Sequence, residues 1–221
     1  MRTHVSSPTL TNQVMEVIRQ DILLGKLTPG QKLVVADLKE RYNVGASPIR
    51  EALVQLSWKK YIKFAPQKGC WVAPVSIEEL QDLFNANKVI SRELLTRAIT
   101  HGDEAWELNI LTAYHKLSRI DPTSDETDLS EWEQRHCDFH TAILTSEHSP
   151  VMLDIYHDIY DQIKRYRHIW VSKMRQVEDR YTDEGEHEAL MKAVLARDLE
   201  QAQKIMHTHF ERAVEDIKNY L

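Results

Sequence analysis

The sequence is sparing with cysteine, glycine and proline: two, six and seven in 221 residues. Cys70 and Cys137 have neither a metal-type spacing nor the numbers for a disulfide framework, which points to a reduced, cytoplasmic protein. No apolar run approaches the length of a membrane span, and the N-terminus lacks the hydrophobic stretch of a signal peptide. There is no convincing repeat or low-complexity tract. Glycine and proline also become rare after Val75, so turn-rich structure belongs to the first third of the chain and long helices to the rest. The reading is two domains, 1–75 and 76–221.

Positive charge is scarce overall, with a net charge of −6, yet it is unevenly placed. Residues 1–75 hold eleven Lys or Arg against five Asp or Glu, and the remainder holds 17 against 29. A basic N-terminal end is the electrostatic footprint of phosphate binding, although a solvated charged face gives the same count.

The stretch Leu33 to Leu56 explains that charge. Leu33, Val34, Leu38 and Tyr42 recur at helical spacing, and Asn43 to Ala46 breaks the pattern. Ser47-Pro48 then restarts it as N-cap and first helical residue, before an apolar stripe of Ile49, Ala52, Leu53 and Leu56. This is a helix-turn-helix, whose second helix can enter a DNA major groove. Upstream lies a helix ending near Gly25, and downstream a hairpin signature surrounds Pro66 to Gly69. Together they predict a winged helix of three helices plus a β-hairpin wing.

These residues carry a resemblance. From about Asp21 to Pro74 the pattern Ile22, Gly25, Leu27, Pro29-Gly30, Leu33, Val44, Ser47 to Leu53 and Gly69 resembles the DNA-binding domain of the GntR family of bacterial transcription regulators. The resemblance implies DNA contact by Arg50, one turn into the second helix. Ser47 at the helix start, Lys39 and Arg41 at the end of the first helix, and Lys68 at the wing tip are candidate phosphate contacts, or else ordinary surface residues. Ala36 and Ala46 stand where many relatives carry arginine. Alanine meets at most a thymine methyl, so Ala46 is a weak base reader and the operator preference of the fatty-acid-responsive branch does not transfer. Lys59-Lys60 replaces a usual Glu-Gly.

From Ser76 onward the chain is helical. Ser76-x-x-Glu79 is a capping box, and Ile77, Leu80, Leu83, Phe84, Ile90, Leu94 and Ala98 share one face. Further helices are predicted at about 103–118, 128–146, 150–173, 182–196 and 198–219. Tyr156, Tyr160 and Ile163 form a core or cavity-wall set. Histidine is the informative residue. His136 and His140 project from one helical face, and His187 and His209 lie on the inward stripes of two other helices. Neutral imidazoles converging in a bundle suit zinc, nickel or another divalent metal, while satisfied core or surface histidines explain the same spacing.

Residues 76–219 are similar to the FCD ligand-binding domain of the FadR subfamily, a six- or seven-helix bundle, through Phe139-His140, Glu186 to Leu190, Ala196-Arg197-Asp198 and Met206-x-x-His209-Phe210. The resemblance implies a metal on His140, His187 and His209. The usual aspartate position is occupied by His136, with Asp138 as the alternative if the helix is irregular. An arginine that relatives use to grip a carboxylate corresponds to Asn87, with Ser91 one turn on; Arg92 or Arg167 are substitutes for it. The combined reading is a mainly α, homodimeric repressor of double-stranded operator DNA, answering to a small carboxylate-bearing metabolite. The competing classes are a metal-dependent enzyme and a DNA-binding protein with a purely structural metal.

Overall fold

The computed structural model describes residues 9–122, 124, 127–145, 149–174 and 185–221, in two units, Met1–Val75 and Ser76–Leu221. In the first unit the order is α1 (Leu10–Leu23), β1 (Lys32–Leu33), α2 (Val35–Tyr42), α3 (Ala46–Trp58), β2 (Ile62–Ala65) and β3 (Gly69–Val72). Thr9 starts α1 by accepting a hydrogen bond from the Asn12 N–H. Ile18, Ile49, Ala52, Leu56 and Tyr61 have no exposed surface, so α1, α3 and the approach to β2 close one apolar core.

Three details differ from the sequence reading. Leu33 does not begin the helix-turn-helix. It lies in β1 opposite Cys70 of β3, which makes the wing a three-stranded antiparallel sheet of order β1-β3-β2 rather than a hairpin alone. The β-branched Val34 then stays extended and α2 starts one residue later. Ser47 is not the N-cap: Gly45 holds that place, and the Ser47 hydroxyl instead donates to Glu51 Oε1 at 3.1 Å. Pro48 is the third helical residue, still within the first turn where a missing N–H leaves no intrahelical bond unmade.

The second unit comprises α4 (Ile77–His101), α5 (Glu104–Leu117), α6 (Leu129–Leu144), α7 (Pro150–Met174), α8 (Glu186–Leu195) and α9 (Leu199–Lys218), six helices among the described residues. Thr123 and residues 146 and 182–184 of the anticipated breaks and helices lie outside those residues. Only half of the capping box forms. Ser76 Oγ accepts from the Glu79 N–H at 3.1 Å, but the Glu79 carboxylate turns to the Arg165 guanidinium at 3.0 Å and the Tyr166 hydroxyl on α7. Tying α4 to α7 uses an acceptor that an isolated helix would keep for its own N-cap.

The Ala196-Arg197-Asp198 junction has a packing explanation. Arg197 ends α8 in the left-handed region at φ 59° and donates to the Ile99 and Gly102 carbonyls, both at 2.9 Å, where α4 runs out of internal partners. Its guanidinium lies 4.8 Å from the Trp106 ring, and Asp198 caps α9 through the Gln201 N–H.

Candidate functional site

On the winged unit, Arg50 is exposed on α3 and borders a cleft whose far wall is the wing, with Phe64, Pro66 and Gln67. Ser47 and Lys39 are exposed, Ala46 is half-buried, and Lys68 is exposed in the wing turn, where its N–H donates to the Ala65 carbonyl. Arg41 differs from the other candidates. Its Nη2 lies 2.8 Å from the buried Asp21 carboxylate, which also accepts from the Tyr42 hydroxyl at 2.9 Å. That cation ties α2 to α1, a structural task which its position in sequence did not reveal.

In the bundle, α6 supplies His136 and His140, α8 supplies His187 and α9 supplies His209. The i, i+4 spacing sets the two α6 rings side by side with centroids 4.5 Å apart, His187 and His209 face them with centroids 5.0 to 6.0 Å away, and those two lie 4.8 Å from each other. All four are buried, and one nitrogen from each lies within 4.8 Å of the others. Burial, with Arg167 and the neighbouring rings adding to it, holds His136 and His140 well below the ordinary histidine range. Burial also lowers His209, against the pull of Glu186. His136, His140 and His209 are therefore held toward the neutral form, which offers lone pairs rather than charge.

Two polar networks hold the rings. The Glu186 carboxylate lies 2.9 Å from His209 Nδ1 and 3.1 Å from Arg212 Nη1, and the histidine bond above all keeps Glu186 below the usual carboxylate range. On the other side Arg167 Nη1 reaches Glu133 Oε1 at 2.7 Å, Tyr160 Oη at 2.8 Å and His136 Nδ1 at 3.2 Å. Glu133 and Arg167 are both buried, and Arg167 is the one anticipated effector residue that borders this cavity.

The other three are placed elsewhere. Asn87 and Ser91 are buried and bonded to each other at 3.3 Å, away from the cavity lining, and Arg92 borders a separate groove with Lys88, Val89 and Phe210. They lie on α4 faces that the sequence pattern could not orient toward any particular neighbour. Asp138 is exposed and accepts from Gln134 at 2.7 Å, so α6 is regular and the alternative ligand points away. Glu133 was missed. Its only signal was a position three residues before His136 on the same helix face, with no hint of Arg167 thirty-four residues away. Glu186 was visible in its motif but without a role.

The donor set fits a borderline divalent metal. His140 Nε2 is fully buried with no hydrogen-bond partner among the described residues, as expected of an atom whose partner is an ion. The cavity of about 20 Å³ beside it has room for an ion or a single water.

A winged helix presenting an exposed arginine on its second helix places the protein in the class of DNA-binding transcription regulators. Residues 10–72 match the model of the bacterial regulatory proteins of the gntR family, and residues 82–212 match the FCD domain. The chain is 36% identical over 197 residues to the HTH-type transcriptional repressor GlaR of Escherichia coli, covering 87% of this chain and 88% of that protein. It is 30% identical over 215 residues to the HTH-type regulator BphR of Paraburkholderia xenovorans, covering 96% and 86%. The fold is similar to E. coli McbR/YncC, with a TM-score of 0.74, 17% identity, and coverage of 96% and 99%. The chain belongs to the GntR family, with an FCD domain following its winged helix. The family and these relatives are regulators of transcription rather than enzymes. No helix among the described residues is long and apolar enough to cross a membrane.

Proposed function

We propose that the protein is a metabolite-responsive repressor that binds its operator as a homodimer through paired winged helices and lets go when a small organic acid enters the helical bundle. The observation that carries this reading is the convergence of four buried histidines from three helices, one nitrogen of each within 4.8 Å of the others, with His136, His140 and His209 lining an ion-sized cavity. His140, His187 and His209 would hold a divalent ion, zinc or nickel, with His136 beside them. Such an ion, when bound, supplies a Lewis-acidic contact for a carboxylate. Arg167 adds a fixed positive charge to the same cavity wall. The relative named as a repressor supports the sign of regulation.

The acid must bind one arrangement of the dimer better than the other; moving occupancy from 1:99 to 99:1 takes about 5.5 kcal/mol of preference. The test is operator binding by fluorescence anisotropy at two salt concentrations, with and without chelator, across a panel of organic acids. Binding is expected to fall steeply with salt. One or more acids should release the DNA only while metal is present. His140→Ala should keep operator binding and lose both metal and acid response. An acid response that survives complete metal removal would sink the proposal.

A further inference from the structure

The four rings are not equivalent. His209 Nδ1 faces the Glu186 carboxylate, which can only accept, so Nδ1 carries the proton and Nε2 keeps its lone pair. His140 Nε2 has no hydrogen-bond partner among the described residues. His136 is wired in the opposite sense. Arg167 Nη1, 3.2 Å from His136 Nδ1, has only hydrogens to offer. Tyr160 Oη, 2.7 Å from the same nitrogen, already accepts from Arg167 at 2.8 Å, which turns its own proton onto the ring. Glu133 Oε1 anchors that Arg167 nitrogen from the far side at 2.7 Å. His136 Nδ1 is thus an acceptor, the single proton of the neutral ring sits on Nε2, and a protonated nitrogen has no lone pair for a metal.

We infer that His136 is not a metal ligand but the hydrogen-bond donor for the carboxylate of an acid bound beside an ion that His140, His187 and His209 hold. The inference rests on the metal reading proposed above and assigns this ring a different task within it. His136 Nε2 lies 3.2 Å from His187 Nε2, which accepts its proton when no ion is bound. Once that lone pair is committed to an ion, the His136 N–H is left without an acceptor in a cavity of about 20 Å³, an unfavourable state for a buried donor. An anionic oxygen relieves it, and no carboxylate among the described residues joins the cluster to do so. The ion therefore creates the demand for the acid, and the two bind cooperatively. The ligand class is a carboxylate; a neutral alcohol or amide of the same size leaves the charge on the ion unbalanced.

The experiment uses the full chain and cobalt(II) as probe, followed by absorption spectra and calorimetry, with acetate as the test anion. Wild-type protein that takes up no cobalt removes the metal reading and this inference together. If cobalt binds, His187→Ala should weaken it at least about a hundredfold, the top of the range for disturbing even a ligand's neighbour, while His136→Gln stays within about threefold. His136→Leu, which has no N–H to donate, should need about tenfold more acetate to perturb the cobalt spectrum, the loss of one hydrogen bond to a charged acceptor. A His136→Gln variant that loses cobalt as His187→Ala does overturns the inference and leaves the metal reading standing; unchanged acetate binding by His136→Leu overturns the donor role. A misfolded variant is bypassed by the wild type itself. In zinc-loaded, ¹⁵N-histidine-labelled protein, two-bond ¹H–¹⁵N correlations should place the His136 proton on Nε2, and a proton on Nδ1 overturns the inference.

Discussion

The winged unit and the helical bundle treat polar side chains in opposite ways. Among the described residues of the winged unit, Asp21 is the one buried charged side chain, and Lys39, Arg50 and Lys68 all face water. The bundle carries the acidic excess of the chain, yet it buries Arg165, Arg167, Glu133 and the four-histidine cluster. A surface that meets phosphates needs cations that remain hydrated and exchange their counterions. A cavity that recognises a small ligand needs its donors dry and fixed in place before the ligand arrives. The consequence is an unequal vulnerability: substitutions of polar residues should cost binding in one unit and folding in the other.

Breaking the buried pair is the most severe test of that contrast. Glu133→Ala leaves the Arg167 guanidinium without its carboxylate and should destabilise the bundle by about 3–5 kcal/mol. Hydrogen exchange read separately in each unit should show faster opening of α6 and α7 with the winged helix unaffected. Equal loss in both would mean that the units unfold as one.

Acid should separate the units next. Burial holds His136, His140 and His209 below their ordinary value of 6.5, so the unfolded chain takes up protons there that the metal-free folded bundle refuses. Stability contributed by these neutral rings is complete above that pH and falls as pH drops toward the folded values, by about 1.4 kcal/mol per pH unit for each ring. The winged unit has no histidine beyond His4, so it should show no matching loss. Denaturant unfolding at pH 7 and pH 5.5 measures the difference; a pH-independent bundle would show that the rings are not buried neutral.

Arg50→Ala should act in the reverse direction, weakening operator binding by about 1–3 kcal/mol while leaving metal content and bundle stability alone. Parallel anisotropy and metal analysis of this variant would expose any role for Arg50 in folding. The smallest effect is expected at Lys60, which adopts φ 63° where a β-carbon is disfavoured. Lys60→Gly should stabilise the winged unit by roughly 0.5–1 kcal/mol, the left-handed strain being partly offset by glycine's greater chain entropy. No gain in denaturant midpoint would mean that the strain is relieved by the side chain's own contacts.

The helices were legible because their signals are local. Ser76 and Asp198 cap α4 and α9, the apolar stripe of α3 is buried where the 3.6-residue period places it, and in α4 Leu80, Phe84, Leu94 and Ala98 are buried while Ile77, in the first turn, is exposed. Errors arose where a local signal met a distant partner. Leu33 fits helical spacing, but pairing with Cys70 draws it into a strand. Glu79 completes a capping box in sequence, but Arg165 and Tyr166 take its carboxylate. Asn87 and Ser91 matched a position in a motif, yet they bond to each other one turn apart on α4 and neither lines the histidine cavity.

The order of residues alone therefore determined the two-part plan, the winged helix with its basic bias, and the inward faces on which four histidines ride. Those properties follow from periodicity, capping and charge, all of which act within a few turns of chain. Only the tertiary structure decided which nitrogens meet, that Glu186 orients His209, and that Tyr160 and a Glu133-anchored Arg167 face His136 Nδ1. The roles of a ring nitrogen are set by the one or two groups that touch it, and here those groups come from helices packed side by side whose pairing no short-range pattern encodes.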